Sequence, residues 1–99
     1  GRKVLIPVDD IRFIMAKDDY SCIYTVEIVF VETSLAQFEA KLCDFGFFRV
    51  HRRYIVNLAC VTDVETVPIG AIQLGITGVD ERVPVSRRRV VPLKKALSL

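Results

Sequence analysis

Residues 47–57 read FFRVHRRYIVN, from Phe47 to Asn57. The segment holds the single histidine, His51, together with Arg49, Arg52 and Arg53 and the aromatics Phe47, Phe48 and Tyr54. Phe48 and Val50 alternate with Arg49 and His51, the period of a strand with one face in a core. Arg52-Arg53 then forms a turn. A plain surface strand has little use for such a mixture, whereas a strand and turn anchored in a core and presenting cations to a partner needs it. The second basic concentration is Ser86 to Arg89, SRRR.

Working outward, Thr33 to Cys43 switches to helical period. Ser34 with Gln37 fits a capping box, Leu35, Phe38 and Leu42 share one face, and Gln37 and Lys41 face water. Asp44-Phe45-Gly46 ends that helix, with Gly46 in the left-handed conformation. Upstream, Ile11 to Lys17 reads as a strand covered on both faces, with Ile11, Phe13 and Met15 on one side and Arg12, Ile14 and Ala16 on the other. Asp18-Asp19 is a turn, Tyr20 to Thr25 the returning strand, and Ile28 to Val31 the next, although the reversal between them lacks Gly, Asn or Pro. Lys3 to Val8 reads as an edge strand because Pro7 cannot donate to a ladder.

Downstream, Val61 to Val67, a Pro68 to Gly70 turn and Ala71 to Ile76 form a hairpin. Gly75 inside it marks a bulge or a close backbone approach. Gly78 to Glu81 is a turn and Arg82 to Val85 a short strand. Ser86 is a candidate N-cap for a last helix reaching Leu97. Pro92 leaves two readings open, a helix interrupted at Pro92 or one that begins there and leaves SRRRVV extended. The result is one β-rich domain over residues 1–99 with a mid-chain helix and a terminal helix.

The mean hydropathy of +0.37 and the hydrophobic fraction of 52% indicate a folded module rather than a disordered one. No apolar run approaches the roughly 20 residues of a membrane span and no signal peptide is evident, so a soluble, cytoplasmic protein is expected. Net charge is +2. It is unevenly distributed: residues 1–50 hold six Lys/Arg against eight Asp/Glu and residues 51–99 eight against four, which points to cations clustered on one face.

The three cysteines, Cys22, Cys43 and Cys60, have long unequal spacings, and one histidine leaves too few ligands for a zinc site. Reduced thiols, no cofactor and no catalytic constellation are expected. Arg87, Arg88 and Arg89 fall where a helix begins, and the macrodipole disfavours each cation there by about 0.3 to 1 kcal/mol. They either grip an anion or form a solvated basic corner. Arg52 and Arg53 have the same two readings, one of them pairing with a carboxylate such as Asp63 while the other points outward. Tyr20 is either a core aromatic or a stacking group at a groove edge.

FFRVHRRYIVN followed after a hairpin by VPVSRRRVVPLKKAL, with IPVDDIRFIMAKDDYSCIYT upstream, resembles the LytTR DNA-binding domain of bacterial transcription regulators. The resemblance rests on Phe47, Arg49, His51, Arg52, Tyr54, Ile55, Val56 and Asn57, then Pro84, Ser86, Arg87 and Arg88. It implies an elongated arrangement of antiparallel β-sheets whose loops enter successive major grooves of double-stranded DNA. By position it implies base contacts from Tyr20, Arg52 and Arg88. It makes Arg49, His51, Arg53, Asn57, Ser86, Arg87 and Arg89 candidates for phosphate contacts or for bracing the loops, with Asn57 alternatively tying its own turn to the backbone. It further implies a fused N-terminal receiver or sensory domain, and it leaves open whether the chain binds as a dimer on repeated sites.

Three features depart from the family pattern. Arg53 stands where serine is usual, Asp18-Asp19 sets two carboxylates beside Tyr20, and Pro92 lies in the last helix. The expected function is sequence-specific duplex binding as the output domain of a regulator. The alternative is a module whose basic turns meet an acidic protein partner.

Overall fold

Ile14 and Phe13 are neighbours in the chain, point to opposite faces of a strand, and are both 0% exposed. The sheet that carries them is therefore covered on both sides. A computed structural model, which describes residues 5–68 and 70–99, shows how. Strands β1 (Phe13–Lys17), β2 (Tyr20–Tyr24), β3 (Ile28–Val31), β4 (Phe47–His51) and β5 (Tyr54–Asn57) form an antiparallel sheet in the order β3-β2-β1-β5-β4. Helix α1 (Leu35–Leu42) packs on one face through Leu35 and Leu42 against Ile11, Ile14, Ile23, Phe47 and Ile55.

A second sheet covers the other face. Strands β6 (Val61–Thr66), β7 (Ile72–Ile76) and β8 (Val79–Val85) meander in sequence order. Ile72, Leu74, Ile76, Val83 and Val85, with Leu93 of helix α2 (Arg87–Ala96), close a second core around Phe13, Val50 and Val56. Each fully buried aliphatic or aromatic side chain contributes roughly 1.5 to 3 kcal/mol. These two cores fix the relative positions of elements remote in sequence. The protein measures 47 × 26 × 25 Å.

Local chemistry explains the boundaries. Ser34 and Gln37 form the reciprocal capping box of α1, and Gly46 sits at φ 81° after the helix. The β2–β3 reversal, which has no Gly, Asn or Pro, is held by Thr25, whose hydroxyl accepts from the Glu27 amide and donates to the Glu27 carbonyl. Gly75 is required by its cover: a Cβ there would collide with the side chains of Asp63, Thr62 and Arg82.

Several expectations change. Of the edge strand expected over Lys3–Val8, Lys3 and Val4 lie outside the described residues, and the described part, Leu5–Val8, is not a strand: Val8–Asp10 is a 3-10 turn closed by the Asp10 amide on the Pro7 carbonyl. Ile11 precedes β1 and joins the Ile14 side of the sheet, not the Phe13 side. β8 begins at Val79, so Asp80 and Glu81 belong to a strand rather than to a turn. Pro84 is tolerated because β8 is an edge strand. Ile69 of the expected Pro68–Gly70 turn is outside the described residues, while the Gly70 amide donates to Val67 and the Val67 amide to Ala71. Finally, α2 starts at Arg87 and runs through Pro92, which excludes an extended SRRRVV arm. Pro92 lacks the amide that would bond the Arg88 carbonyl, and both residues are exposed, so water can serve that acceptor.

Candidate nucleic-acid interface

The two basic segments meet because β4 contains one residue too many. Arg49 pairs with Ile55 and His51 with Tyr54, leaving Val50 as a bulge. The Val50 carbonyl accepts the Ser86 amide at 2.9 Å. That single bond sets the start of α2 beside the end of β4. Between them lies a cleft of about 420 Å³ lined by Arg49, His51, Arg52, Ser86, Arg88 and Arg89.

The arginines in and around it divide into two kinds. Arg49 is a brace: Nε donates to the His51 carbonyl at 3.0 Å, Nη2 to the Arg52 carbonyl at 2.6 Å, and Nη1 to Glu39 of α1 at 3.1 Å. Arg53 also points inward, donating from Nε and Nη2 to the Ala16 carbonyl at 3.2 and 3.1 Å. Its own carbonyl accepts the Ala16 amide at 2.8 Å, which joins the 51–54 turn to the end of β1. Arg52, Arg87, Arg88 and Arg89 are exposed, and among the described residues none has a side-chain hydrogen bond or a salt bridge. They are the arginines that, among the described residues, are free for an external anion. The expected pairing of Arg52 or Arg53 with Asp63 is not found, since Asp63 bonds Arg82 across Gly75.

His51 joins the brace. Its Nδ1 accepts the Arg53 amide at 3.1 Å, and its ring meets Tyr54 edge-on with centroids 5.6 Å apart. Burial first, and then the charges of Arg52, Arg53 and Arg49, hold its pKa below the ordinary imidazole value.

Ser86 occupies the N-cap position of α2 with extended backbone, but its side chain makes no capping bond. Ser86 is one of the residues that line the cleft. Asn57 lies at the opposite end of β5. It is 6% exposed, its Nδ2 donates to the Ile11 carbonyl at 2.9 Å and its Oδ1 accepts the Ala59 amide at 3.0 Å, so its amide is occupied by backbone.

Tyr20 stands at the same end of the sheet as the 51–54 turn, because Lys17 pairs with Tyr20 and Met15 with Tyr54. It is 53% exposed and does not line the basic cleft. Together with Lys17, Asp18, Cys22 and Phe30 it forms a separate, mainly apolar recess of about 280 Å³. Asp18 has φ 54°, which turns the chain tightly between the two strands.

Sequence reasoning did not find Glu39, which anchors Arg49 from another element, or Phe30, which flanks Tyr20. Neither has a local signal, since each acts through a partner that only the fold supplies. The far end of the molecule has the opposite character. Asp9, Asp10, Glu27, Asp80 and Glu81 surround the β2–β3 and β7–β8 turns, and Arg12 there donates to the Gly78 carbonyl at 3.2 Å.

The chain belongs to the family of LytTr DNA-binding domains, whose model matches residues 1–98. A solved LytTr DNA-binding domain of a putative methyl-accepting/DNA response regulator from Bacillus cereus superposes with a TM-score of 0.84 at 27% identity, covering 95% of this chain and 86% of that one. The transcriptional regulatory protein YpdB of Escherichia coli K12 is 29% identical over 99 residues, which is 99% of this chain and 41% of the relative. The sensory transduction protein LytT of Bacillus anthracis is 32% identical over 97 residues, 97% of this chain and 39% of the relative. The chain thus spans about 40% of the length of such relatives. The antiparallel two-sheet architecture with its two helices is that of the family.

Proposed function

We propose that residues 1–99 act as one sequence-specific, double-stranded DNA-binding domain serving as the output of a transcription regulator. Family membership supports DNA binding, and the relatives are transcriptional and sensory transduction regulators. The observation that carries the reading is the junction at Val50 and Ser86, which holds Arg52, Arg88 and Arg89 around one cleft while Arg49 and Arg53 stiffen the turn.

Arg52 and Arg88 are the base readers, since an exposed guanidinium can bond guanine O6 and N7 together. Arg87, Arg89 and Ser86 contact phosphate. Arg49, Arg53 and Asn57 support. Tyr20 meets the adjoining base pairs, with Asp18 and Asp19 beside it admitting a cytosine N4 and repelling phosphate. A receiver or sensory domain is fused to this one, a reading supported by its spanning only about 40% of the length of its relatives, and pairing of two domains on repeated sites would multiply affinity. The chain works in the cytoplasm without a catalytic step. Among the described residues no helix is long and apolar enough to cross a membrane, and no three His, Cys, Asp or Glu side chains converge to hold a metal.

The test is selection of bound duplexes from a random pool, followed by a gel shift against random competitor. Recovery of a shared motif, with binding that weakens steeply as salt rises, supports the reading. Salt-independent binding, or binding without preference, refutes it.

A further inference from the structure

We propose that His51 positions the recognition turn as a neutral hydrogen-bond acceptor, so that protonating it loosens DNA binding instead of strengthening it. The inference rests on the DNA-binding reading and concerns the same cleft. A histidine among arginines in an anion-binding cleft would ordinarily be counted as one more cation. Its bonding points the other way. Nδ1 accepts the Arg53 amide at 3.1 Å, and an imidazolium, with a proton on each nitrogen, cannot accept.

The bond matters because the turn is short. Among the described residues its carbonyls are held by two side-chain bonds, both from Arg49, to His51 at 3.0 Å and to Arg52 at 2.6 Å. Arg52, the arginine of the turn whose side chain is free of hydrogen bonds among the described residues, lies between His51 and Arg53 in sequence. Losing the Nδ1 bond releases the Arg53 amide and lets the Arg52 peptide rotate.

The surrounding charges act in the same sense. Arg52 and Arg53 flank His51 on its own turn, Arg49 faces it from β4, and Arg88 and Arg89 share the cleft from α2. The Tyr54 ring of β5 meets that of His51 edge-to-face with the centroids 5.6 Å apart. From α1 the nearest carboxylate is Glu39, already paired with Arg49 at 3.1 Å. In the neutral state Nε2 carries the hydrogen and can still donate to one phosphate oxygen. Protonation therefore adds charge where cations are already crowded and removes the acceptor that shapes the turn.

The experiment is a fluorescence anisotropy titration of the chain with its selected duplex from about pH 8 down to about pH 5 at constant ionic strength, across the range where histidine titrates. Affinity is expected to stay level above the His51 pKa and to fall by up to about tenfold per pH unit below it, the limit for one proton released on binding. His51→Asn places an uncharged oxygen near the position of Nδ1 and gives up the Nε2 donor, so its affinity at about pH 8 falls at most modestly and should then stay level as pH is lowered, without the acid decline. His51→Lys keeps a cation without an acceptor and should bind more weakly throughout. Nitrogen-15 spectra of the wild-type chain read the tautomer without any variant, and Nδ1 should be the unprotonated nitrogen at neutral pH.

Affinity that rises on acidification overturns the proposal, as does an Nδ1–H tautomer, a His51→Asn variant that declines in parallel with wild type, or a His51→Lys variant that binds as tightly. Absence of duplex binding by the wild type at neutral pH would refute the DNA reading itself. Binding with the opposite pH sign would refute only the role of His51.

Discussion

Arg49→Lys separates a brace from a phosphate contact, because it preserves charge and removes the planar fork. Arg49 makes three side-chain bonds, two to carbonyls of the 51–53 turn and one to Glu39. Its side chain is 18% exposed and that of Glu39 is 42% exposed, so the ion pair is a partly solvated one worth about 0.5 kcal/mol. The two carbonyl bonds contribute about 1 kcal/mol each after exchange with water. Lysine cannot reach all three acceptors in one geometry. The expected loss of stability is therefore about 2 kcal/mol, measured as a lower urea midpoint with unchanged slope.

DNA affinity should fall with it at neutral pH, because Arg52 loses its fixed peptide. The log–log salt slope should stay the same, since no phosphate contact is removed. Arg49→Ala should behave like Arg49→Lys in the anisotropy assay. If the lysine variant binds like wild type while the alanine variant lowers the slope by about 0.9, Arg49 is a phosphate contact and the bracing argument is wrong.

Arg52→Ala and Arg88→Ala should each cost about 1 to 3 kcal/mol on the selected site and relax base preference at one position, read by repeating the selection with each variant. Arg87→Ala and Arg89→Ala should instead weaken binding evenly across sequences and reduce the salt slope by about 0.9 each, measured on random duplexes. Gly75→Ala should destabilise the chain by about 1 to 3 kcal/mol in urea, since the Asp63 and Arg82 side chains must move off the new Cβ. Asp63 has its pKa held below the ordinary carboxylate value by bonds from Arg82 and Thr62. Its folded pKa is the lower one, so its contribution is present above the unfolded value near pH 4 and disappears as pH falls through the folded value. Asp63→Asn should consequently be less stable than wild type at neutral pH and converge with it in acid, which thermal melts across that range would show.

Periodicity made most of the scaffold legible. Phe13, Ile14, Val50 and Ile55 sit in cores because each lies in an apolar alternation that only a strand buried on one or both faces explains. Ser34 and Gln37 announced their helix through a pattern that is purely local. Expectations failed where neighbours decide. Lys3–Val8 has strand composition, but Pro7 and the aspartates fold its end into a 3-10 turn. Pro92 signals a break, yet a helix already begun at Arg87 and anchored by buried Leu93 carries through it.

In the candidate site, the exposed arginines were visible as charge. Their division into free and bracing was not, because it depends on the Ala16 carbonyl, on Glu39 and on the bulge at Val50. A one-residue irregularity in pairing leaves no mark in a hydrophobic pattern. It nevertheless brings two distant segments to one cleft.

The acidic end of the molecule has a consequence for how DNA is met. The acidic turns and the 51–54 turn sit at opposite ends of the strands, and the screening length at physiological salt is only about 8 Å. Once the basic cleft is seated, Asp9, Asp10, Glu27, Asp80 and Glu81 lie mostly outside the reach of the phosphates and subtract little from the bound state. During diffusion the same carboxylates give the particle a front and a back. A polyanion exerts a torque on it, turning the arginines forward and deflecting approaches that lead with the wrong end. On the proposed DNA-binding reading, the separation of the acidic turns from the basic cleft thus acts as a rudder, felt in the rate of landing and hardly at all in the strength of the grip.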